Sequence, residues 1–276
     1  MAQNEIDLAD GLMVDVVGPW ASEKHHGLRE YIRLASGARA SFVPPTGTGG
    51  ASYIELFSAS GRARIEDTTT IIDGSPLVAY RAAHASGVRF SDLHFNDIDP
   101  EKASALDARL RSIGGVAVVH NKPAAEAIDD IVYALNPSGL HFAFLDPYNL
   151  EFLSFELIEK LARFKHMDML VHVSVQDLQR NADMERYCVP GGVFDKFAPG
   201  WRRVVNRQQA IRPFRAALME YWLAEIRKLG TMPAQGAELV VGSRGQRLYW
   251  LMFVAAHDLP QKLSPAFGPK RTSGPV

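Results

Sequence analysis

The feature that most constrains this chain is a regular alternation between short apolar runs and longer segments with helical spacing. Short runs rich in β-branched and aromatic residues are typical of strands, whereas apolar residues three and four positions apart are typical of helices. Between residues 53 and 175 the two patterns alternate with short links. Because parallel strands need crossover connections, this alternation predicts an α/β fold with a doubly wound, mostly parallel sheet that is covered by helices on both faces.

Both ends of the chain depart from this alternation. Residues 21–37 have helical spacing and predict an N-terminal helical cover. Near the other end, a short glycine-containing link separates the runs AELVV and RLYWLMFVAA, which favours a C-terminal antiparallel hairpin. We therefore expect an N-terminal extension over residues 1–17, one α/β domain over residues 18–260, and a flexible tail rich in proline and glycine over residues 261–276.

Composition excludes several classes of protein. The 276 residues are 47% hydrophobic, which suffices for one large core. A formal net charge of −1 gives no overall attraction to nucleic acid or to an anionic membrane, although it leaves room for a local patch. The single cysteine excludes a disulfide framework and a cysteine-only zinc or iron–sulfur site. Since the sequence shows neither a secretory signal nor a long apolar span, we expect a cytoplasmic protein with no membrane partner.

Candidate ligand-binding residues follow the predicted strands. In an open parallel sheet, ligands bind outside the carboxyl ends of the strands. The first strand passes into the small residues of ELFSASG, which let the backbone approach a ligand but can also serve packing alone. Asp97 follows the second strand and is suited to a ribose diol, whereas Asp99 precedes Pro100 and is better suited to capping a helix.

The segment Asp146-Pro147-Tyr148 follows a later strand and is the most specific of these features. Its carboxylate can accept a hydrogen bond from an amine while the aromatic ring stacks on a planar group. The alternative is an ordinary Asp-Pro turn, in which Tyr148 packs on the next helix.

These segments, together with GPWASEKHHGLREYI, DGSPLVAY, HFNDIDP and DLQRN, resemble the three-Cys-motif partner (TcmP) family. The resemblance runs from about Gly18 to the C-terminal hairpin. It implies a Rossmann-like fold of the class I S-adenosylmethionine-dependent methyltransferases, with S-adenosylmethionine as cofactor and methyl transfer as activity. In this family the cysteine motif belongs to a partner protein. The resemblance therefore also implies a three-Cys-motif protein as partner, in agreement with the single cysteine found here.

The resemblance further implies roles for individual residues. Asp97 would bind the ribose, and Asp146, Pro147 and Tyr148 would form the catalytic site that faces the methyl group. Trp20 and Lys24 would lie over the same cleft and contribute to cofactor binding. The cofactor loop would consist of Glu55, Phe57, Ser58, Ala59, Ser60 and Gly61.

Two positions depart from the pattern of the family. Ala59 stands where the family's loop has glycine, and we expect its side chain to crowd the cofactor or to forbid a left-handed turn. Asn121 lies where the family has an aspartate motif for the adenine amine, so this contact either comes from Asn121 or is missing. These departures support an alternative function, in which a catalytically degenerate protein acts only as a binding partner of the three-Cys-motif protein.

The segment WRRVVNRQQAIRPFR carries five arginines and no acidic residue. Such a cluster can contact phosphates, which makes nucleic acid a candidate substrate, but it is equally typical of a solvated surface. The residues that we expect to contact substrate are Arg180, Asn181, Arg202, Arg203 and Arg207.

The nine histidines lack the spacing of a metal site, so no metal is expected. We expect His94, His141 and His172 to be partly buried strand residues without a metal role, and Cys188 to be buried rather than nucleophilic.

Overall fold

The protein is described here by a computed structural model that covers residues 5–174, 177–178, 185–230, 232–233, 238–241 and 247–255. Three of the predictions fall outside these residues, namely those on Arg180, on Asn181 and on the tail over residues 261–276.

Within the described residues, twelve strands, numbered β1–β12 in chain order, form two sheets. The main sheet contains β3 (Ala51–Glu55), β6 (Asp92–Asn96), β7 (Val118–His120), β8 (Leu140–Leu145), β9 (Met167–Ser174), β10 (Met232–Pro233), β11 (Glu238–Val241) and β12 (Arg247–Ala255). A smaller accessory sheet contains β1 (Glu5–Ile6), β2 (Met13–Val17), β4 (Arg62–Ile65) and β5 (Ile71–Asp73).

The main sheet confirms the predicted doubly wound architecture. Its strands lie in the order β7-β6-β3-β8-β9-β12, and every pair from β7 to β9 is parallel. The strand β12 runs antiparallel to β9 and forms the predicted hairpin with β11. The chain order reverses at β3, since the chain continues to β6 on one side and returns to β8 on the other. This reversal is the topological switch point, outside which ligands bind in doubly wound sheets.

Helices cover both faces of the main sheet. One face packs against the helices α1 (Ala21–Leu34), α3 (Ser75–Ala85) and α4 (Pro100–Ser112). The other packs against α5 (Ala124–Ala134), α6 (Phe155–Leu161), α7 (Glu185–Cys188), α8 (Val193–Phe197) and α9 (Ile211–Lys228). A short helix, α2 (Ser36–Ala40), follows α1. Among the described residues, none of the helices combines the length and the apolar character that a membrane-spanning segment needs.

The alternation of side chains along the strands separates the two cores. Tyr53 packs in the core beneath α1 and α3, whereas its neighbour Ile54 packs in the core beneath α5 and α6.

The helix signals in the sequence also have the expected structural roles. Asp99 caps α4 by accepting a hydrogen bond from the backbone N of Glu101 (2.9 Å), and Pro76 lies in the first turn of α3.

The accessory sheet is the part of the fold that the sequence did not predict. Its order is β1-β2-β4-β5, so strands from residues 5–17 pair with strands inserted between β3 and α3. Arg109 of α4 anchors it through hydrogen bonds from Nε to Asp10 Oδ2 (2.8 Å) and from Nη1 to the Met13 carbonyl (2.8 Å). The same Nη1 donates to the carbonyl of Ser60 (2.7 Å). The accessory sheet is thereby joined to the loop that follows β3.

Candidate functional site

The loop that follows β3 is held by two carboxylates. The backbone N of Ala59 donates to Asp97 Oδ2 (2.9 Å). The backbone N and Oγ of Ser60 both donate to Asp15 Oδ2, at 3.0 and 2.7 Å. Asp15 belongs to β2 of the accessory sheet, and its other oxygen lies 2.6 Å from Lys102 Nζ. Two of the amides expected to face a ligand therefore bind carboxylates of the protein itself.

Ala59 corrects one expectation from the sequence. Its φ is +52°, so the alanine adopts the left-handed conformation that we expected it to forbid. A non-glycine residue in this region costs about 1–2 kcal/mol, and the hydrogen bond to Asp97 helps to offset that cost. Gly61 is left-handed as well, with φ +83°, and a Cβ there would lie 2.8 Å from Leu106 Cδ1. The loop thus has glycine at the left-handed position where packing excludes a side chain, and alanine at the other left-handed position.

Asp97 and Asn121 together fix the turn after β6. Asp97 Oδ1 accepts a hydrogen bond from the backbone N of Asp99 (3.0 Å). Asn121 Nδ2 donates to the carbonyls of Asp97 (2.9 Å) and Ile98 (3.0 Å). Burial raises the pKa of the Asp97 carboxyl. Because each carboxylate oxygen has two lone pairs, Asp97 can still accept hydrogen bonds from a ligand's hydroxyl groups.

Glu55 ends β3 and is 1% exposed. Tyr53 Oη donates to its Oε1 (2.7 Å), whereas Oε2 is buried and has no hydrogen-bond partner in the described part of the chain. Burial raises the pKa of the Glu55 carboxyl to about 8, so the protonated form is favoured at neutral pH. Oε2 is buried at the switch point near the Ser75 side chain, and the carboxyl would accept a hydrogen bond from a cationic donor of a ligand in its ionised form.

Asp146 lies between a lysine and a histidine. Its Oδ2 forms an ion pair with Lys24 Nζ of α1, and its Oδ1 lies 3.1 Å from His172 Nδ1 of β9. The side chains of Asp146 and Lys24 are 18% and 13% exposed. Burial alone would raise the pKa of Asp146, but Lys24 and His172 outweigh burial and hold this pKa well below its usual range. Lys24, which we expected over the cleft, thus contacts the predicted catalytic carboxylate of Asp146.

The rings expected near the site differ in exposure. Tyr148 is 91% exposed, so it does not pack on the next helix and is free to stack on a planar ligand. Pro147 is buried. Trp20 is half-buried, and its indole folds over Gly18, where a Cβ would lie 2.2 Å from the ring. Phe57 packs against the core beneath α5 and α6.

The arginines expected to contact substrate are not equivalent. Arg202 stacks on the ring of Trp201 (4.8 Å) and donates to Asp195 Oδ1 (2.8 Å) and to the carbonyl of Cys188 (2.6 Å), so it holds the region between α7 and α8 together. Arg203 and Arg207 are exposed.

The histidines and Cys188 differ in how deeply they are buried. His94 and His141 are buried, His172 is partly buried, and Cys188 is buried. Across the described ranges, no group of three or more potential ligands is placed to hold a metal ion. A small cavity of about 30 Å³ lies below α1, beside Tyr31 and Asp168. A groove of about 610 Å³ opens between α3 and α4, beside Arg81 and Arg89. Neither is lined by residues 55–61.

Comparison with known proteins supports the fold. No family model matches the sequence, and no curated protein matches it either. Among solved structures, the chain is similar to protein LPL1258 from Legionella pneumophila str. Philadelphia 1, of the family DUF519, with 11% identity over 88% of each chain and a TM-score of 0.53. It is less similar to the cofactor-bound protein Rv0187 from MTB (14% identity, 83% of this chain and 78% of that chain, TM-score 0.42). A further likeness is to an O-methyltransferase from Bacillus cereus in complex with SAH (12% identity, 83% and 90%, TM-score 0.41).

The chain therefore has a doubly wound, Rossmann-like α/β fold. This assignment depends on the strand order and on the likeness to the Legionella protein. The strand order is that of a doubly wound sheet whose order reverses at β3, and an antiparallel strand closes it beside β9.

Proposed function

We propose that this protein is an S-adenosylmethionine-dependent methyltransferase. The observation that carries the proposal is the placement of Glu55 and Asp146 at the ends of adjacent parallel strands, next to the switch point. Glu55 offers a buried oxygen without a hydrogen-bond partner in the described residues, and Asp146 offers an ionised carboxylate. One group suits a cofactor's donor, and the other suits an acceptor amine.

The residues present fit the cofactor in part. The positive charge of the cofactor's amino group would favour ionised Glu55, whose Oε2 would accept a hydrogen bond from it, and Asp97 would accept hydrogen bonds from the ribose hydroxyls. The amides of Ala59 and Ser60 do not contribute while Asp97 and Asp15 occupy them. When bound, S-adenosylmethionine supplies a methyl group on a sulfonium sulfur.

The chain's own residues would orient the acceptor. Asp146 Oδ2 would accept a hydrogen bond from the acceptor amine, in the place that the Lys24 ammonium occupies. The exposed ring of Tyr148 would stack on the planar group that carries the amine. Because a well-oriented reacting pair can gain roughly 7–11 kcal/mol from proximity, such positioning can supply much of the rate.

A calorimetric titration tests this proposal. Wild-type protein is titrated with S-adenosylmethionine and with S-adenosylhomocysteine. We expect Asp97→Ala to weaken binding, because it removes an acceptor and releases the Ala59 amide, and Asp146→Ala to preserve binding while abolishing transfer. Asp107→Ala is the control, because Asp107 pairs with exposed Arg111 on α4 and belongs to none of the proposed site residues. No binding by wild-type protein at millimolar concentrations would refute the proposal, and equal losses of binding in both site variants would refute this division of roles.

For the substrate we propose a nucleic acid, because exposed Arg203 and Arg207 supply cations that can contact phosphates. Affinity for single strands or duplexes should fall steeply as salt is raised. Each neutralised phosphate contact should reduce the slope by about 1 in Arg203→Ala and Arg207→Ala. Exposed Arg163 lies elsewhere, and Arg163→Ala should leave the slope unchanged. Binding that is absent, or that does not depend on salt, would exclude a nucleic-acid substrate.

A second candidate is a methyltransferase-fold protein that binds only its three-Cys-motif partner, as the resemblance to the TcmP family implies. The observation in its favour is that Asp15 and Asp97 already occupy two amides of the cofactor loop. The expected result is then that neither cofactor form binds, while a three-Cys-motif protein co-purifies. Binding of S-adenosylhomocysteine by the wild-type protein would contradict this candidate.

A further inference from the structure

The partner of Asp146 on the neighbouring strand is His172. The strands β8 and β9 are parallel with Leu145 opposite Val171, so that Asp146 and His172 come next in the same register. The side chain of His172 is 13% exposed, and its Nδ1 lies 3.1 Å from Asp146 Oδ1. The pairing of β8 with β9 therefore brings the side chains of Asp146 and His172 next to each other.

The ring of His172 is held on its other side. Tyr249 of β12 packs edge-on against it, with ring centroids 4.3 Å apart and an interplanar angle of 80°. Both ring nitrogens of His172 are buried: among the residues described, Nε2 has no hydrogen-bond partner, and Nδ1 lies 3.1 Å from Asp146 Oδ1 without hydrogen-bond alignment. A carboxylate at Nδ1 requires a proton on that nitrogen, because a deprotonated carboxylate can only accept hydrogen bonds. The proximity of Asp146 Oδ1 thus favours a proton on Nδ1.

The other charged and titratable groups at this carboxylate lie on different elements. Lys24 of α1 contacts Oδ2, and Glu55 of β3 and His25 of α1 interact with Asp146 electrostatically. The Lys24 ammonium occupies the side from which an acceptor amine would approach. His172 contacts Oδ1 instead, so it can keep its place while the acceptor amine replaces Lys24.

We propose that His172 is a positioning residue for Asp146: its Nδ1–H fixes Oδ1 and thereby directs Oδ2 toward the acceptor amine. This inference rests on the proposed methyl transfer. Without His172, the carboxylate can rotate about its terminal bond, and Oδ2 loses its direction. A misplacement of about 1 Å can cost roughly a hundredfold in rate.

The proposal distinguishes two replacements of His172. His172→Asn places an amide NH₂ near the position of Nδ1 and keeps a donor for Oδ1. His172→Leu has similar bulk but no donor. In the transfer reaction, we expect His172→Leu to lower kcat about a hundredfold with little change in the KM for the cofactor, and His172→Asn to restore most of that loss. An equal loss in both variants would indicate a purely structural role and would overturn the proposal.

Nitrogen-15 NMR of the histidine rings tests the contact without any knowledge of the acceptor. Protein labelled at the imidazole nitrogens is measured at pH 8, and the His172 signal is assigned by its absence in His172→Asn. We expect a protonated Nδ1 in the wild type and a shift of the tautomer signal in Asp146→Ala. Buried His94 serves as the control, since it lies on β6 and its signal should not respond to Asp146→Ala. A bare Nδ1 in the wild type, or a His172 signal that ignores Asp146→Ala, overturns the proposal.

Titration of the same samples with S-adenosylhomocysteine distinguishes failure of the proposed function from failure of the proposed role of His172. If the wild type does not bind S-adenosylhomocysteine, the proposed function fails, whatever the state of the Nδ1 proton. If it binds normally while Nδ1 is bare, the proposed function survives and the role of His172 fails.

Discussion

At the scale of single residues, Glu55 shows how burial changes the chemistry of a carboxyl group. Its pKa rises from the ordinary value of 4.5 to about 8, chiefly because burial disfavours the charged form. Between pH 4.5 and about pH 8, Glu55 is protonated in the folded protein but has released its proton in the unfolded chain. The contribution of this group to stability is therefore full below pH 4.5 and is lost as the pH rises toward 8.

Replacing Glu55 tests whether this group makes the protein less stable as the pH rises. Glu55→Gln keeps the shape of the side chain and removes the titration, so its stability relative to wild type should increase between pH 5 and pH 8. Each unit of pKa difference corresponds to about 1.4 kcal/mol, and we expect a relative gain of a few kcal/mol, measured by urea unfolding at both pH values. Glu159→Gln, at an exposed position of α6, should show no such trend. Parallel pH profiles for wild type and Glu55→Gln would contradict the buried, protonated state.

Ala59 allows a second test at the same scale. Because its φ is +52°, Ala59→Gly should relieve left-handed strain and stabilise the protein by about 1 kcal/mol. Ala108→Gly, at an exposed position of α4, is the matched control and should destabilise by about 1 kcal/mol. The measurement is the free energy of unfolding in urea. Destabilisation by both substitutions would argue against the left-handed conformation of Ala59.

The site residues differ in how far the sequence could predict them. Glu55, Asp97 and Asp146 follow strands, and the rule for parallel sheets brings strand ends to one edge. His172 and Asp15 could not be predicted as members of the site, because their positions depend on pairing between distant segments. The register of β8 and β9 places His172 at Asp146, and the accessory sheet brings Asp15 to the loop after β3.

At the scale of elements, α1 is held to the sheet by an ion pair as well as by its apolar face. Lys24 donates to Asp146 in a largely buried setting, while Leu28 and Ile32 pack in the core beneath the helix. Removing one partner of a buried ion pair leaves the other charge unpaired, which is strongly destabilising.

Lys24→Met tests this attachment. We expect a loss of about 1–3 kcal/mol in urea unfolding, smaller than for a completely buried pair because both side chains keep some contact with water. Lys122→Met breaks the pair with Asp130, whose side chains are 44% and 47% exposed, and should have a much smaller effect. Similar effects of the two substitutions would show that the Lys24 pair does not hold α1.

Most elements of the main sheet could be predicted from the sequence because their apolar patterns are sustained. Apolar runs such as LHFAFL and helix signals such as Asp99-Pro100 carry the information locally. The accessory strands carry much less. RARI and IID are short, and RARI alternates arginine with apolar residues, so neither indicates a buried strand until β2 pairs with β4.

At the scale of the whole molecule, buried histidines oppose the effect of Glu55. Burial lowers the pKa of His25 from 6.5 to about 4, and it also lowers the pKa values of His94, His120 and His141. The unfolded chain then binds protons that the folded protein excludes. These groups contribute stability above pH 6.5 that is lost as the pH falls toward 4. Together with Glu55, they place the maximum of stability in slightly acidic to neutral solution.

His25→Gln tests the acidic side of this balance. The substitution removes the proton uptake of the unfolded state at this position, so stability should fall less steeply between pH 6.5 and pH 4 than in the wild type. Exposed His26 is the adjacent control, and His26→Gln should leave the slope unchanged. The slope of unfolding free energy against pH is the measured quantity, and an unchanged slope in His25→Gln would show that this histidine titrates normally.

The accessory sheet also affects the order in which the protein can fold during synthesis. The strands β1 and β2 are made early, but alone they are only a two-stranded hairpin, which is marginally stable in water. Their pairing with β4 must wait until the ribosome has released the loop after β3, and the clamp from Arg109 must wait for α4. The growing chain can therefore complete its first strands and this loop only after α4 has been made, although Asp15 can reach the Ser60 amide earlier.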